Sequence, residues 1–535
     1  MRIEGKIVDL HNKSIFEGSI ELLDGVINSV NQHPTTSQKY IMPGFIDAHV
    51  HIESSMLTPA NFGRMAVKHG TVAIVTDPHE IANVLGIEGL KFMGESLEHS
   101  PLKTFPSIPS SIPATPFDVA GGVISAYDVE RLAKTGRFVA LSEVMNVPGV
   151  LFEDEEVMAK LEIAKRYNLV IDGHAPSLVG DDLTKYIGSG ITTDHECVTL
   201  EEAKEKISKG MKILIREGSA AKNYDTFKEL ITTDPDDVMF CTDDSHSDDI
   251  LALGHINKIV RLAIKDGLPL FNILQIASLN PITHYKLDVG TLRVGDKADF
   301  IIVNDLENFD VEALYINGEQ RYNRAIPIEP MTKERTINNF NHDPIKIEEL
   351  SKRVDGAIKI IGLIEDEIVT KLDSYTPKAP TENLESDTEE DLAKIVYINR
   401  YTNGAPQVAF CRGFGFKRGA IASSVAHDSH NIVAVGCSDE ELTKAINLLI
   451  EHKGGLSVCD GEVCDILPLP IAGIMSNRTG EEVAADYSRL QRMVHDMGSP
   501  LEAPFMTLSF LSLVVIPEVK IGEKGLFSYS KFNWL

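Results

Sequence analysis

Between residues 41 and 284, short apolar runs closed by polar residues recur: FIDAHV, TVAIVTDPHE, RFVALSEVMNVP, NLVIDGHAP, GITTDHE, MKILIREGS and VMFCTDDSH. Segments such as EDEEVMAKLEIAKRYN and LEEAKEKISKG fill several of the gaps with a helical apolar period. Neighbouring strands that run the same way need a crossover of roughly a dozen residues or more, usually a helix. The alternation therefore commits this region to a parallel α/β sheet, and roughly 240 residues is the length that closes such a sheet into a (β/α)8 TIM-type barrel. Chemistry in these barrels sits at the carboxyl ends of the strands.

That rule turns the sequence into an inventory of strand ends. In the first run, residues two apart share a face, so His49 and His51 can grip one ion. Glu143 follows RFVALS, His174 follows NLVIDG, His195 follows GITTD, and Asp243 and Asp244 follow VMFCT. Each alone has a plain structural explanation, as a solvated strand-end charge or, for His174 near Pro176, a loop residue. Together they point to a metal site. Two ions fit better than one, because the Glu143 carboxylate can offer an oxygen to each and six ligands exceed the needs of a single open tetrahedral site. Imidazole and carboxylate without sulfur suit Mn²⁺ or Fe²⁺, with Zn²⁺ next. Asp243 is preferred to Asp244 as the ligand because it directly follows Thr242, taken as the strand end, and neighbours on a strand face opposite ways.

Residues 1–40 and 285–326 alternate as half-buried strands do, with glycines at the turns, and predict one composite β-sandwich built from both flanks of the barrel at 41–284. From 327 to 535 the character is that of an α+β domain, with strands at KIVYINR and NIVAVG and a helix at DEELTKAINLLIEHK. The acidic stretch at 376–392 reads as an exposed loop or linker, and the apolar run at 505–517 as a buried strand or helix rather than a membrane span. In AHDSHN, the residues His427, Asp428 and His430 satisfy a turn or a contact between domains; a second metal or a proton relay is the alternative.

With 51 Lys and Arg against 79 Asp and Glu, the net charge of −28 repels phosphate backbones and anionic lipid, so neither nucleic acid nor membrane is an expected partner. No basic segment followed by an apolar one opens the chain, and six cysteines without regular spacing argue for a reducing, cytoplasmic compartment. Cys459 and Cys464 are the one close pair, with no companion pair for zinc. His51-Ile52-Glu53 mimics the His-x-Glu of zinc nucleobase deaminases, but the Pro-Cys-x-x-Cys those enzymes need is missing.

A barrel with His-x-His on its first strand, a fourth-strand carboxylate, two further histidines and a last-strand Asp is similar to the amidohydrolase superfamily. Many members carry a carboxylated lysine where this chain has Glu143. HVHIESSMLTP, TDPHEIANVLG, CTDDSH and GFGFKRGAIASSVAHDSHNIVAVG together resemble the bacterial adenine deaminases over nearly the whole chain. An extra leading segment common in such enzymes is not seen, a difference expected to touch assembly or stability rather than chemistry. The resemblance implies hydrolytic deamination of adenine to hypoxanthine and ammonia in purine salvage. Two ions held by His49, His51, Glu143, His174, His195 and Asp243 would activate the attacking water, Asp243 would take its proton, and Glu80 would move protons to and from the purine. Glu53, Ser54, His79, Asp244 and His246 are weaker candidates for contacting the base. A helix-entry role after Pro78 competes for Glu80. The alternatives are another base or cyclic amide, such as guanine, a pyrimidine or a dihydroorotate-like ring, and a catalytically dead scaffold. A homodimer is the expected assembly.

Overall fold

The computed structural model describes residues 1–219, 221–329, 334–364 and 367–535. Eight parallel strands form the central barrel. Phe45–Val50, Thr71–Thr76, Lys103–Ile108, Ala140–Val144 and Val170–Gly173 make one five-stranded sheet, and Thr193–Asp194, Lys212–Arg216 and Val238–Cys241 make a second of three. The two are linked where Thr192 N–H donates to Ile171 C=O at 2.9 Å. The ring closes where Asp243 N–H donates to His49 C=O at 3.0 Å and His51 N–H donates to Asp243 C=O at 3.2 Å. Asp47 reinforces this closure, accepting from both the N–H (3.1 Å) and the hydroxyl (2.5 Å) of Thr242.

Seven of these strands follow the apolar runs read from the sequence. The eighth, Lys103–Ile108, escaped because its string KTFPSI carries Pro106 and few large apolar side chains. Proline costs little here, since its carbonyl still accepts from Val139 N–H at 3.1 Å. The expected helices form with their caps: Asp154 accepts from Glu156 and Val157 N–H to start Glu155–Arg166, and Thr199 accepts from Glu202 N–H to start Leu200–Ser208.

Both flanks of the barrel join in one hydrogen-bonded sheet of seven strands, in the order Glu319–Asn323, Val311–Ile316, Phe300–Val303, Tyr40–Pro43, Arg2–Asp9, Ser14–Leu23, Val26–Gln32. The sheet curls so that its last strand, Val26–Gln32, meets the segment leading into Phe300–Val303, Ile27 N–H donating to Asp296 C=O and Ala298 N–H to Gly25 C=O, both at 2.9 Å. Ile7, Ile20, Ile27, Ile41 and Phe300 fill the enclosed core.

The C-terminal region is an eight-stranded sheet with the helix Asp439–Glu451 packed on it through Leu442, Ile446 and Leu449. The acidic stretch at 376–392 lies between Thr370–Tyr375 and Ala393–Ile398, so it is an excursion within this sheet and not a linker between domains. The apolar stretch near 505–517 contains the short helix Pro504–Ser509 and a buried turn at Phe510–Ser512. Cys459 and Cys464 stand directly opposite each other on Gly455–Asp460 and Val463–Pro468 and are joined in a disulfide, while Cys197, Cys241, Cys411 and Cys437 are free. Cysteine spacing therefore misled for this pair, because a tight hairpin turns a separation of five residues into direct opposition. The C-terminal domain is seated on the barrel mouth: Ser476 N–H donates to Met56 C=O at 2.8 Å, and the Asn431 amide to Val119 C=O at 2.8 Å. Among the described residues, no helix is long and apolar enough to cross a membrane.

Candidate metal centre

Side chains from five strand ends meet at the carboxyl mouth of the barrel. His49 Nε2 and His51 Nε2 lie 3.0 Å apart. Asp243 Oδ1 is 3.1 Å from His51 Nε2 and 3.5 Å from His49 Nε2. Glu143 spans the cluster, with Oε1 at 3.4 Å from His51 Nε2, and Oε2 at 2.7 Å from His174 Nδ1 and 3.2 Å from His195 Nε2. The two oxygens of Glu143 thus face different sets of imidazoles, the arrangement a carboxylate shared by two ions requires. All six groups are buried or nearly so.

Second partners fix the ligand atoms. His51 Nδ1 bonds the backbone carbonyl of Asp77 at 3.1 Å, so it carries the proton and leaves Nε2 free to ligate. Asp243 sits in the left-handed region, at φ +54°. For an aspartate this backbone costs on the order of 1 kcal/mol, which its two hydrogen bonds to the His49–His51 segment offset. The strand itself stops at Cys241, so alternation along it does not choose between the two aspartates. Asp243 enters the cluster because its backbone pairs beside the two histidines. Asp244 instead accepts from the Ser54 hydroxyl at 2.5 Å.

Burial pushes Glu143 and Asp243 toward the neutral form, but their partners win: His174 and His195 hold Glu143, and Arg216 with His49 and His51 holds Asp243, well below the usual carboxylate range. Burial likewise opposes charge on His195, yet Glu143 raises it to about 9. Two buried anions among four imidazoles demand cations, which either protons on the rings or divalent metals supply. Clustered imidazole and carboxylate donors without sulfur fit divalent ions.

The remaining candidates lie around this cluster. His79 donates from Nδ1 toward Asp77 Oδ2 at 3.0 Å and stands 3.5 Å from Glu143 Oε1 and, through Nε2, 3.5 Å from Glu80 Oε1. Glu53 accepts Ile81 N–H at 3.2 Å through Oε1, its Oε2 is buried with no partner, and burial pushes its carboxyl up to about 7. His246 is set back in the domain junction, its ring edge-on to Tyr487 at 4.6 Å and its pKa pushed down to about 4 by burial.

Two supporting groups are not legible in the sequence. Arg216 ends the strand Lys212–Arg216, pairs with both oxygens of Glu196 and donates to Asp243 Oδ2 at 2.5 Å. The strand-end rule applied to MKILIREGS points at it, but a cation is not a ligand type. Lys206, fully buried, donates to Asp194 Oδ2 at 2.6 Å, Glu202 Oε1 at 2.6 Å and Ala175 C=O at 2.7 Å, pinning the strand ends that carry His174 and His195.

Residues 40–321 match the model of the amidohydrolase family, and residues 367–533 that of the adenine deaminase C-terminal domain. The sequence is 47% identical to an adenine deaminase of Methanosarcina mazei over 99% of this chain and 98% of that protein. It is 48% identical to one of Sulfurovum sp. over 100% of this chain and 99% of that one. The chain belongs to the adenine deaminase family. Among solved structures, N-acetyl-D-glucosamine-6-phosphate deacetylase from Mycobacterium smegmatis matches at 13% identity and a TM-score of 0.47, covering 60% of this chain and 99% of that one.

Proposed function

We propose that the protein hydrolyses adenine to hypoxanthine and ammonia at the barrel mouth, with two divalent cations held by His49, His51, Glu143, His174, His195 and Asp243. The observation that carries this reading is the convergence of six buried or nearly buried donors in a chain that matches adenine deaminases along almost its whole length. Mn²⁺ or Fe²⁺ suits the donor set first, Zn²⁺ next. Such ions supply Lewis acidity, which lowers the pKa of water from 15.7 to about 7 and so makes a nucleophile at neutral pH.

The chain's own groups handle the protons. Asp243 has Oδ2 engaged by Arg216 and Oδ1 turned to the cluster, so Oδ1 takes a proton from the water as its oxygen attacks C6. Glu80, ionised between its two histidine donors, receives the second proton of that water and hands it to a ring nitrogen, so that C6 becomes tetrahedral without leaving an anion on the ring. Proton return to the exocyclic nitrogen breaks the C6–N bond, and ammonia departs. Water supplies the oxygen of hypoxanthine, and its two hydrogens balance those carried off by ammonia and redistributed on the ring. Glu53, Ser54, His79 and Asp244 line the approach and read the purine edge. The substrate is the free base, the assembly a homodimer, and the setting purine salvage in the cytoplasm.

Ammonia release from a panel of purines and pyrimidines, with Mn²⁺ supplied, tests this reading. Adenine is expected to turn over fastest. Turnover of guanine, a pyrimidine or dihydroorotate with adenine inert would replace it.

A further inference from the structure

The C-terminal domain inserts two histidines into the barrel mouth, and both grip one carboxylate. Glu80, at the start of the helix His79–Leu85, is 2% exposed. Its Oε1 is 2.6 Å from His427 Nδ1, and its Oε2 is hydrogen bonded to His430 Nε2. The protonation of His430 follows from its backbone: Ala426 N–H donates to His430 Nδ1 at 3.2 Å, so Nδ1 is an acceptor and the ring proton sits on Nε2, aimed at Glu80. That same bond argues against a metal on this trio, since a ring giving its Nδ1 lone pair to a peptide N–H would have to become imidazolate to ligate through Nε2. His427 must donate from Nδ1 to the carboxylate, its ring is stacked on Phe510 at 4.8 Å, and its Nε2 is buried with no hydrogen-bond partner.

The grip is continuous with the ion-binding cluster. Glu80 Oε1 faces His79 Nε2 at 3.5 Å, and His79 Nδ1 faces Glu143 Oε1 at 3.5 Å. Asp428, between the two histidines, brings Oδ1 to 3.8 Å from His79 Nε2 and keeps Oδ2 buried and unpartnered. A carboxylate that is to pass protons to a purine needs one orientation and a defined set of donors, and here both of its oxygens are fixed from outside the barrel.

We propose that His427 and His430 are positioning residues of the deamination: from the C-terminal domain they hold both oxygens of Glu80 so that it faces the bound purine, and the barrel's active site is incomplete without them. The inference rests on the adenine reading above and on Glu80 as the proton carrier. It gives the C-terminal domain a part in the reaction itself.

Full-length, Mn²⁺-loaded protein tests it through His427→Ala and His430→Ala, together with His427→Asn and His430→Gln, whose amide nitrogens replace Nδ1 and Nε2 respectively. Each alanine variant is expected to lose roughly a hundredfold in kcat, the lower range of a general acid–base contribution, with KM within about threefold and metal content unchanged. The amide variants should recover about tenfold of that loss. In a Glu80→Gln background, removing His430 should cost less than about threefold more, since residues acting as a unit are not additive. Alanine variants within about threefold of wild type overturn the proposal. So does an amide variant that folds but recovers nothing, or a metal equivalent lost with His430, which would make the trio an ion site. Selective ¹⁵N-histidine labelling separates this from the adenine reading: a protonated Nε2 on His430 that responds to Glu80→Gln supports the grip even if adenine were inert, and a protonated Nδ1 rules it out.

Discussion

Two buried clusters share the barrel mouth, and they are assembled in opposite ways. The six-donor cluster takes every member from the end of a barrel strand, so one structural rule, applied repeatedly, places them all. The Glu80 cluster joins a helix-entry carboxylate to histidines 347 and 350 positions further along, on a different domain. A repeating fold displays its site as a pattern in the sequence; a contact between domains leaves no pattern, only three polar residues whose partners are unspecified until the domains dock.

The first cluster should therefore be fragile to the loss of a ligand and the second to the loss of orientation. Glu143→Gln is expected to give the largest effect. It removes the negative charge between the two sets of imidazoles, so activity should fall by at least about 10⁴-fold and metal content should drop with it. Metal analysis alongside ammonia release checks this, and full activity would remove Glu143 from the site. That loss of metal is what separates it from changes around Glu80.

Arg216→Gln sharpens the contrast within the barrel. It leaves all six donors in place but frees Asp243 Oδ2 and breaks the paired bonds to Glu196, so metal affinity or turnover should fall about 10–100-fold, the usual cost of losing an outer-shell partner. Competition with a chelator measures the affinity.

Most of the barrel and its six donors were legible because each lies where an apolar run gives way to polar residues. Lys103–Ile108 was not, since proline and threonine hide a strand whose pairing is dictated by its neighbours. Arg216 and Lys206 were not, because their importance comes from which carboxylates they meet, and that is a tertiary fact. Strand alternation is the sequence's argument for Asp243 over Asp244; in the structure the strand stops at Cys241, and what brings Asp243 beside the histidines is its pair of hydrogen bonds to the His49–His51 segment. For His427 and His430 the structure shows the expected contact between domains, with both rings on Glu80, while a part in moving protons belongs to the proposal above.

Lys206→Met probes the support rather than the donors. Removing one partner of a buried pair strands Asp194 and Glu202, and should lower stability by about 3–5 kcal/mol at pH 7. Burial pushes Asp194 up, but Lys206 more than offsets this, leaving its folded pKa below the ordinary value. The contribution is thus fully present above the unfolded pKa of about 3.9 and is lost as pH falls through the depressed folded value. The gap between the denaturant midpoints of wild type and variant should therefore begin to narrow as pH falls below about 4 and go on narrowing toward the depressed folded value, and a gap that holds constant there would assign the loss to packing instead.

The most direct test of the proposed two-ion centre is to titrate metal-depleted protein with Mn²⁺ while following ammonia release from adenine. Six donors divided by a shared Glu143 predict activity that rises until two equivalents are bound and then stays level. Saturation at a single equivalent, or full turnover without any, would contradict the centre described above.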